Sequence, residues 1–155
     1  MDNPSYEHSQ ALKALWLVLP LSAAALGLLA WTESDSANLQ MLAGIIVLHG
    51  VLLIAFGRLK IAIGQGALQW SFGWLGLPRW QVTIADIRGA DLTTSRWTEG
   101  WGIRFTREGM LYNASGNQCV RLTLKNGRSL RLGTDDPERL MAFITARMTP
   151  HGQSR

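Results

Sequence analysis

The sequence predicts a transmembrane hairpin of two helices, followed by a mainly-β domain of about seven antiparallel strands that a C-terminal α-helix closes. Three observations predict this fold class. Two runs of 18 residues, 14–31 and 39–56, contain no Lys, Arg, Asp or Glu. After residue 57, short alternating segments separated by glycine replace the continuous apolar pattern. An acidic, proline-containing segment then precedes a last stretch with apolar residues at helical spacing.

Each apolar run is long enough to cross a lipid bilayer. Eighteen helical residues rise about 27 Å, close to the ~30 Å of the hydrocarbon core. Pro20 predicts a kink in the first helix, which membrane helices tolerate. A cleaved signal peptide is the competing interpretation, but the first run is longer than the usual apolar region of about 7–15 residues. We therefore expect a tail at residues 1–13 and a hairpin at 14–57.

Basic residues flank this hairpin on one side. Lys13 precedes the first run, Arg58 and Lys60 follow the second, and the connecting segment carries Glu33 and Asp35 without a cation. Because Lys and Arg are retained on the cytoplasmic side, this pattern predicts two spans in the inner membrane, with both termini in the cytoplasm.

Alternating segments between turn residues predict the strands of the domain at residues 58–149. They lie at residues 59–63, 67–72, 80–87, 103–106, 110–113, 119–124 and 129–132. Asp135, Asp136 and Glu138 around Pro137 are typical of a helix start. Residues 150–155 are expected to be a flexible tail.

Seven strands followed by a helix are the element order of a pleckstrin-homology (PH) fold. Short motifs accompany this order: Trp97, then residues 100–104, Gly127-Arg128, and residues 133–138. With the preceding hairpin, the chain resembles the membrane-anchored bacterial PH-domain proteins. The resemblance implies a PH-like barrel beside a membrane and no particular chemistry. The first hairpin loop, at residues 63–67, lacks the cations that phosphoinositide-binding PH domains carry there.

Catalytic motifs are not visible. The three histidines, His8, His49 and His151, do not lie at metal-ligand spacing, and Cys119 is the single cysteine. No nucleophile elbow, P-loop or zinc-protease motif occurs in the sequence. We therefore expect no enzyme activity, no metal and no cofactor.

The last two strands place like charges together. If Leu122 and Leu130 face the core, the turn holds three residues, and Arg121 lies directly opposite Arg131. Such a pair, with Lys125 in the turn, is suited to an external anion or to an acidic group of a partner. The alternative is that both guanidinium groups reach water or pair with acids inside the domain.

Aromatic residues and one membrane histidine are the other candidates. Trp97 and Trp101 flank a glycine-containing loop and suit a membrane interface, a protein contact or the core. Trp70 and Trp74 share one face if the second strand continues. His49 falls near the centre of the second run, where an ionisable side chain is a functional candidate, although a neutral imidazole bonded to the first helix explains it equally.

These observations favour a membrane-anchored interaction module that scaffolds or helps to assemble another component at the cytoplasmic face of the membrane. The alternative is a protein that binds or senses anionic lipid, since residues 58–155 carry 14 Lys and Arg against 7 Asp and Glu. A membrane enzyme or transporter is disfavoured. The expected partners are the lipid bilayer, a membrane protein and anionic lipid headgroups, and no nucleic acid.

Overall fold

The computed structural model describes residues 6–32 and 36–148, which form nine β-strands and three α-helices. The strands are β1 (Tyr6–Ala11), β2 (Arg58–Gly64), β3 (Ala67–Phe72), β4 (Arg79–Thr83), β5 (Ile87–Thr94), β6 (Gly102–Thr106), β7 (Gly109–Asn113), β8 (Gln118–Leu124) and β9 (Ser129–Gly133). The helices are α1 (Lys13–Thr32), α2 (Ser36–Phe56) and α3 (Pro137–Met148). The tail predicted at 150–155 lies outside the described residues.

The strands form two sheets. Sheet 1 has the order β1-β2-β3-β4, and all of its pairs are antiparallel. Sheet 2 has the order β5-β8-β9-β7-β6, in which β7 and β9 are parallel and the other pairs are antiparallel. A short 3-10 turn at Ile84–Asp86 connects the last strand of sheet 1 to the first strand of sheet 2.

The predicted barrel of about seven antiparallel strands with a PH-like arrangement is wrong, because the described chain has nine strands in two sheets and includes a parallel pair. Six predicted strands coincide with observed ones to within one residue. The seventh, at 80–87, is divided by the turn at Ile84–Asp86 into β4 and the start of β5. Strand β5 is rich in Gly, Ala, Asp and Thr, so its sequence carries little apolar alternation.

Strand β1 occupies the segment that the sequence assigned to a tail. The buried side chains of this strand are Tyr6 and the polar Gln10, so an apolar alternation is missing. The Gln10 amide donates to the carbonyl oxygen of Gly133 and accepts from the backbone nitrogen of Asp135 at 3.2 Å. Burial raises the pKa of Tyr6 to about 12. The Gln10 side chain joins the amino-terminal strand to the end of β9.

One hydrophobic core lies between the two sheets and α3. Alternate side chains of β2, β3, β8 and β9 point into it, and one face of α3 covers it. Its fully buried members include Leu59, Ile61, Ile63, Leu68, Val120, Leu122, Leu132, Leu140 and Ile144. The opposite faces of the two sheets carry polar and charged side chains, among them Lys60 and Arg79 on sheet 1 and Arg121 and Arg131 on sheet 2.

Helices α1 and α2 pack against each other. The expectation of two transmembrane spans is wrong, because among the described residues a single helix, α2, qualifies as a membrane span. The qualifying window is Leu39–Phe56 in α2, with a mean hydropathy of 2.3 and no part of it buried inside the structure. In α1 the described apolar stretch is Lys13–Leu28.

This finding also overturns the predicted localisation. The placement of both termini in the cytoplasm of an inner-membrane protein required two crossings, and a single candidate does not supply them. The basic residues that flank the hairpin therefore do not define its orientation.

Candidate functional site at the base of the helical hairpin

The two helices leave sheet 1 from neighbouring strands. Strand β1 continues into α1 through Leu12, and α2 enters β2 through Gly57. The backbone nitrogen of Leu12 donates to the Gly57 carbonyl at 2.9 Å, and the indole Nε1 of Trp16 donates to the same oxygen at 3.0 Å. These bonds tie the first turn of α1 to the end of α2, so the helical hairpin and the sheet share one base.

The loop at residues 73–78, between β3 and β4, folds back onto this base. The backbone nitrogen of Gly73 donates to the carbonyl of Arg58 at 2.8 Å, and that of Trp74 donates to the carbonyl of Ile54 at 2.8 Å. Gly73 has a φ of +72°, and a Cβ added there would stand 2.2 Å from the carbonyl oxygen of Ala55. Only glycine permits this approach, which fixes the loop beside the last turn of α2.

A pocket of about 300 Å³ lies between this loop and the outer face of sheet 1. Lys60, Ser71 and Arg79 stand side by side on β2, β3 and β4, because Lys60 pairs with Ser71 and Ser71 pairs with Arg79. We call this site the basic pocket and define it by six of its lining residues, Arg58, Lys60, Ser71, Trp74, Leu75 and Arg79.

The cations of the basic pocket are incompletely neutralised. The Lys60 ammonium lies 2.7 Å from a carboxylate oxygen of Glu7, and both side chains are solvent-accessible. Arg58 donates to the carbonyl of Gly73 at 3.3 Å, and its guanidinium lies 4.4 Å from the centroid of the Trp74 ring. The Arg79 side chain has no hydrogen-bond or ion-pair partner among residues 6–32 and 36–148. The pocket thus combines three cations with one carboxylate, an arrangement suited to an anion.

The described residues offer little for catalysis. No group of three His, Cys, Asp or Glu side chains that could hold a metal occurs within them. Cys119 is fully buried, and burial raises the pKa of its thiol, so the reactive thiolate is disfavoured.

The predicted pair of arginines lies on sheet 2. Arg121 is directly opposite Arg131 across a three-residue turn, as the sequence predicted, and Gly127 in this turn has a φ of +82°. Arg131 is 2% exposed. Its guanidinium donates to both carboxylate oxygens of Glu99, at 2.6 and 3.1 Å, and to the hydroxyl of Thr106 at 3.0 Å.

A second carboxylate lies between the two arginines. An oxygen of Glu108 is 3.6 Å from Arg131 and 3.7 Å from Arg121. The hydrogen bonds from Arg131 hold the pKa of the Glu99 carboxyl below its usual value, and the same pairing raises the pKa of Arg131. The protein's own acids therefore occupy the space that the sequence offered to an external anion. We call Arg121, Arg131, Glu99 and Glu108 the internal ion cluster.

The other predicted residues are dispersed. Lys125 is exposed in the β8–β9 turn, where its backbone nitrogen donates to the carbonyl of Asp86. Trp97 begins a 3-10 turn, and its side chain lies outside the described part of the structure. Trp101 is 40% exposed. In the hairpin, Nε2 of His49 lies 3.4 Å from the Ser22 hydroxyl on α1, within hydrogen-bond distance.

Sequence reasoning missed the basic pocket. It used Arg58 and Lys60 as flanking charges and placed Trp74 on the same face as Trp70, whereas β3 ends at Phe72 and Trp74 is 59% exposed. Trp70 lies in the core. The available signal was the pair of glycines at 73 and 76 around two large apolar residues, which indicates a turn and not a longer strand.

No protein-family model matches the chain, and no curated protein matches it. The resemblance to membrane-anchored PH-domain proteins stays a prediction from short motifs.

Proposed function

We propose that α2 embeds the protein in a lipid bilayer and that the two sheets form an interaction module beside the lipid surface. The window Leu39–Phe56 carries this proposal, since it is uncharged and strongly apolar and none of its residues is buried by the rest of the structure. An apolar helix of this length needs either lipid or another protein to cover it. Helix α1 packs against α2 and adds exposed apolar side chains such as Leu17 and Leu21 to the same region.

An interaction surface for a second protein is supported by strand β6. This strand lies at the edge of sheet 2, so one side of its backbone has no neighbouring strand within the sheet. Phe105 on this strand is 88% exposed, and Trp101 just before it is 40% exposed. Edge strands with exposed aromatic side chains are suited to pairing with a segment of a partner.

Membrane attachment is tested by extraction of native membranes. The full-length protein is expected to remain in the membrane pellet in high salt and alkaline carbonate and to be released by detergent. Leu48→Lys places a charge near the middle of the α2 window, at a cost of about 2.5–3.5 kcal/mol for insertion. This variant is expected to lose most of its carbonate-resistant fraction.

The matched control is Gln40→Lys, which adds the same charge near the end of the window, where a long side chain reaches the interface. It should behave like the unmodified protein. Release of the unmodified protein by carbonate, or equal extraction of the two lysine variants, would contradict embedding of α2.

The interaction surface is tested by site-specific photocrosslinking in native membranes. A benzophenone amino acid at Phe105 is expected to give a discrete crosslinked product, because this side chain is 88% exposed and belongs to the edge strand β6. The control position is Gln118, which is exposed on β8 in the interior of the same sheet. Equal crosslinking at the two positions would exclude β6 as a specific contact surface.

Binding of anionic lipid is the second candidate function. The basic pocket favours it, because its cations lie beside the end of the helix proposed to enter the bilayer.

A further inference from the structure

The position of the basic pocket relative to α2 determines which anions can reach the pocket. The loop at 73–78 is hydrogen-bonded to Ile54 in the last turn of α2 and to Arg58, two residues after the helix ends. Three large side chains of this loop are exposed: Trp74 at 59%, Leu75 at 74% and Leu77 at 64%. If α2 lies in a bilayer, these side chains are at the edge of the hydrocarbon, and the pocket opens at the level of the headgroups.

The side chains of the basic pocket are typical of proteins at the headgroup layer of a membrane. Tryptophan is enriched where hydrocarbon meets headgroups, and Arg and Lys at helix ends reach the phosphate layer. Trp74 is part of the loop wall, and its ring contacts the Arg58 guanidinium. Trp74 and Leu75 of the loop therefore form one wall of the pocket, and the cations of sheet 1 form its floor.

The floor has hydrogen-bond donors suited to phosphate oxygens. Arg79 presents a planar guanidinium without a partner among the described residues, and Lys60 and Ser71 lie next to it in register. A guanidinium binds two oxygens of a phosphate group at once, whereas an ammonium acts as a point charge. The volume of about 300 Å³ is at the lower end of the range for ligand pockets, which suits a headgroup fragment.

We propose that the basic pocket binds the phosphate group of an anionic phospholipid headgroup. Arg79 and Lys60 donate to the phosphate oxygens, while Trp74 and Leu75 contact the apolar part of the lipid next to the headgroup. This assignment deepens the proposed function and rests on it, because the lipid reaches the pocket only if α2 lies in the bilayer. The same cations also suit soluble phosphate, so the test must separate the two sources.

Lipid binding is measured by native mass spectrometry of the full-length protein in detergent micelles, titrated with phosphatidylglycerol or phosphatidylcholine. The protein is expected to retain phosphatidylglycerol in preference to zwitterionic phosphatidylcholine. Arg79→Gln removes one charged donor and is expected to weaken retention of phosphatidylglycerol about tenfold, the size of one charge-assisted hydrogen bond to a charged group. Because Arg79 is exposed and unpartnered in the described structure, this change leaves the fold intact.

The matched control is Arg128→Gln, which removes the same charge from the exposed β8–β9 turn of sheet 2. It is expected to retain phosphatidylglycerol like the unmodified protein. Equal weakening by both variants would show general charge attraction, and unchanged retention in Arg79→Gln would remove the pocket as the site. Either result overturns the proposal.

Inorganic phosphate is the probe for a soluble ligand. Displacement of phosphatidylglycerol by inorganic phosphate at low millimolar concentration would overturn the lipid assignment. Failure of the proposed function has a different signature, since carbonate extraction would then release the protein whatever the lipid titration gives. Membrane retention together with absent phosphatidylglycerol binding would overturn the pocket assignment alone.

Discussion

The outer faces of the two sheets each carry a cluster of basic side chains, and the fold neutralises the two clusters differently. On sheet 2, Arg131 is almost fully buried and is bonded to both oxygens of Glu99, while Glu108 bridges it to Arg121. On sheet 1, the three cations of the basic pocket face one carboxylate, Glu7, in a solvent-accessible pair with Lys60.

This difference in neutralisation distinguishes a cation that stabilises the fold, Arg131, from cations that are accessible to a ligand, such as Arg79. A buried cation requires a bonded counter-charge, and Glu99 reaches Arg131 from a turn 32 residues away in the sequence. An exposed cation such as Arg79 has no such requirement and is free to bind a ligand. The spacing of cations in a sequence therefore does not reveal their role, whereas the origin of their counter-charges does.

The largest effect is expected when the internal ion cluster loses its buried partner. Glu99→Ala leaves the Arg131 guanidinium buried without its bidentate acceptor, so we expect a loss of about 3 kcal/mol in the free energy of unfolding. Glu108 lies at a longer distance and compensates only in part. The measurement is denaturant unfolding of the full-length protein in detergent micelles, followed by tryptophan fluorescence.

Arg79→Gln is the corresponding change in the exposed cations of sheet 1. Because this side chain is exposed, its replacement is expected to change the free energy of unfolding by less than about 0.5 kcal/mol. A large loss in Arg79→Gln, or a small one in Glu99→Ala, would reverse the assignment of the structural and available clusters.

The register of the last two strands was predictable from local patterns. Leu122, Leu124, Leu130 and Leu132 alternate on either side of a turn that contains Gly127, and this spacing fixes which residues pair. The same alternation located five of the strands, while β7 was located as a short apolar run, Met110–Tyr112, between turn residues.

Contacts between distant segments were not predictable in this way. Strand β1 buries Gln10, whose polar side chain conceals the alternation, and its partners are on β9 and just beyond it. Glu99 and Gly73 act through a 3-10 turn and a folded-back loop, whose positions depend on the tertiary structure. The helical hairpin was predicted as two spans because both runs are apolar and uncharged, whereas one helix of the described residues, α2, qualifies as a span.

Acid is expected to remove the contribution of the Glu99 carboxylate to the free energy of unfolding. The pairing with Arg131 holds the pKa of Glu99 below its usual value, so near the ordinary glutamate pKa of about 4.3 the folded state binds fewer protons at this group than the unfolded state. The stability that the carboxylate contributes is therefore fully present above that ordinary pKa and is lost as the pH falls through the lower pKa of the folded state.

Comparison with Glu99→Gln isolates this contribution from those of the other acids. The difference in unfolding free energy between the unmodified protein and the variant is expected to be constant above about pH 6 and to shrink as the pH falls below about 4.5, since the unmodified carboxyl then also becomes neutral. Unfolding curves at several pH values in the same detergent measure it. A difference that stays constant to pH 3 would mean that the charge of Glu99 does not neutralise Arg131, and the contrast between the two clusters would then rest on burial alone.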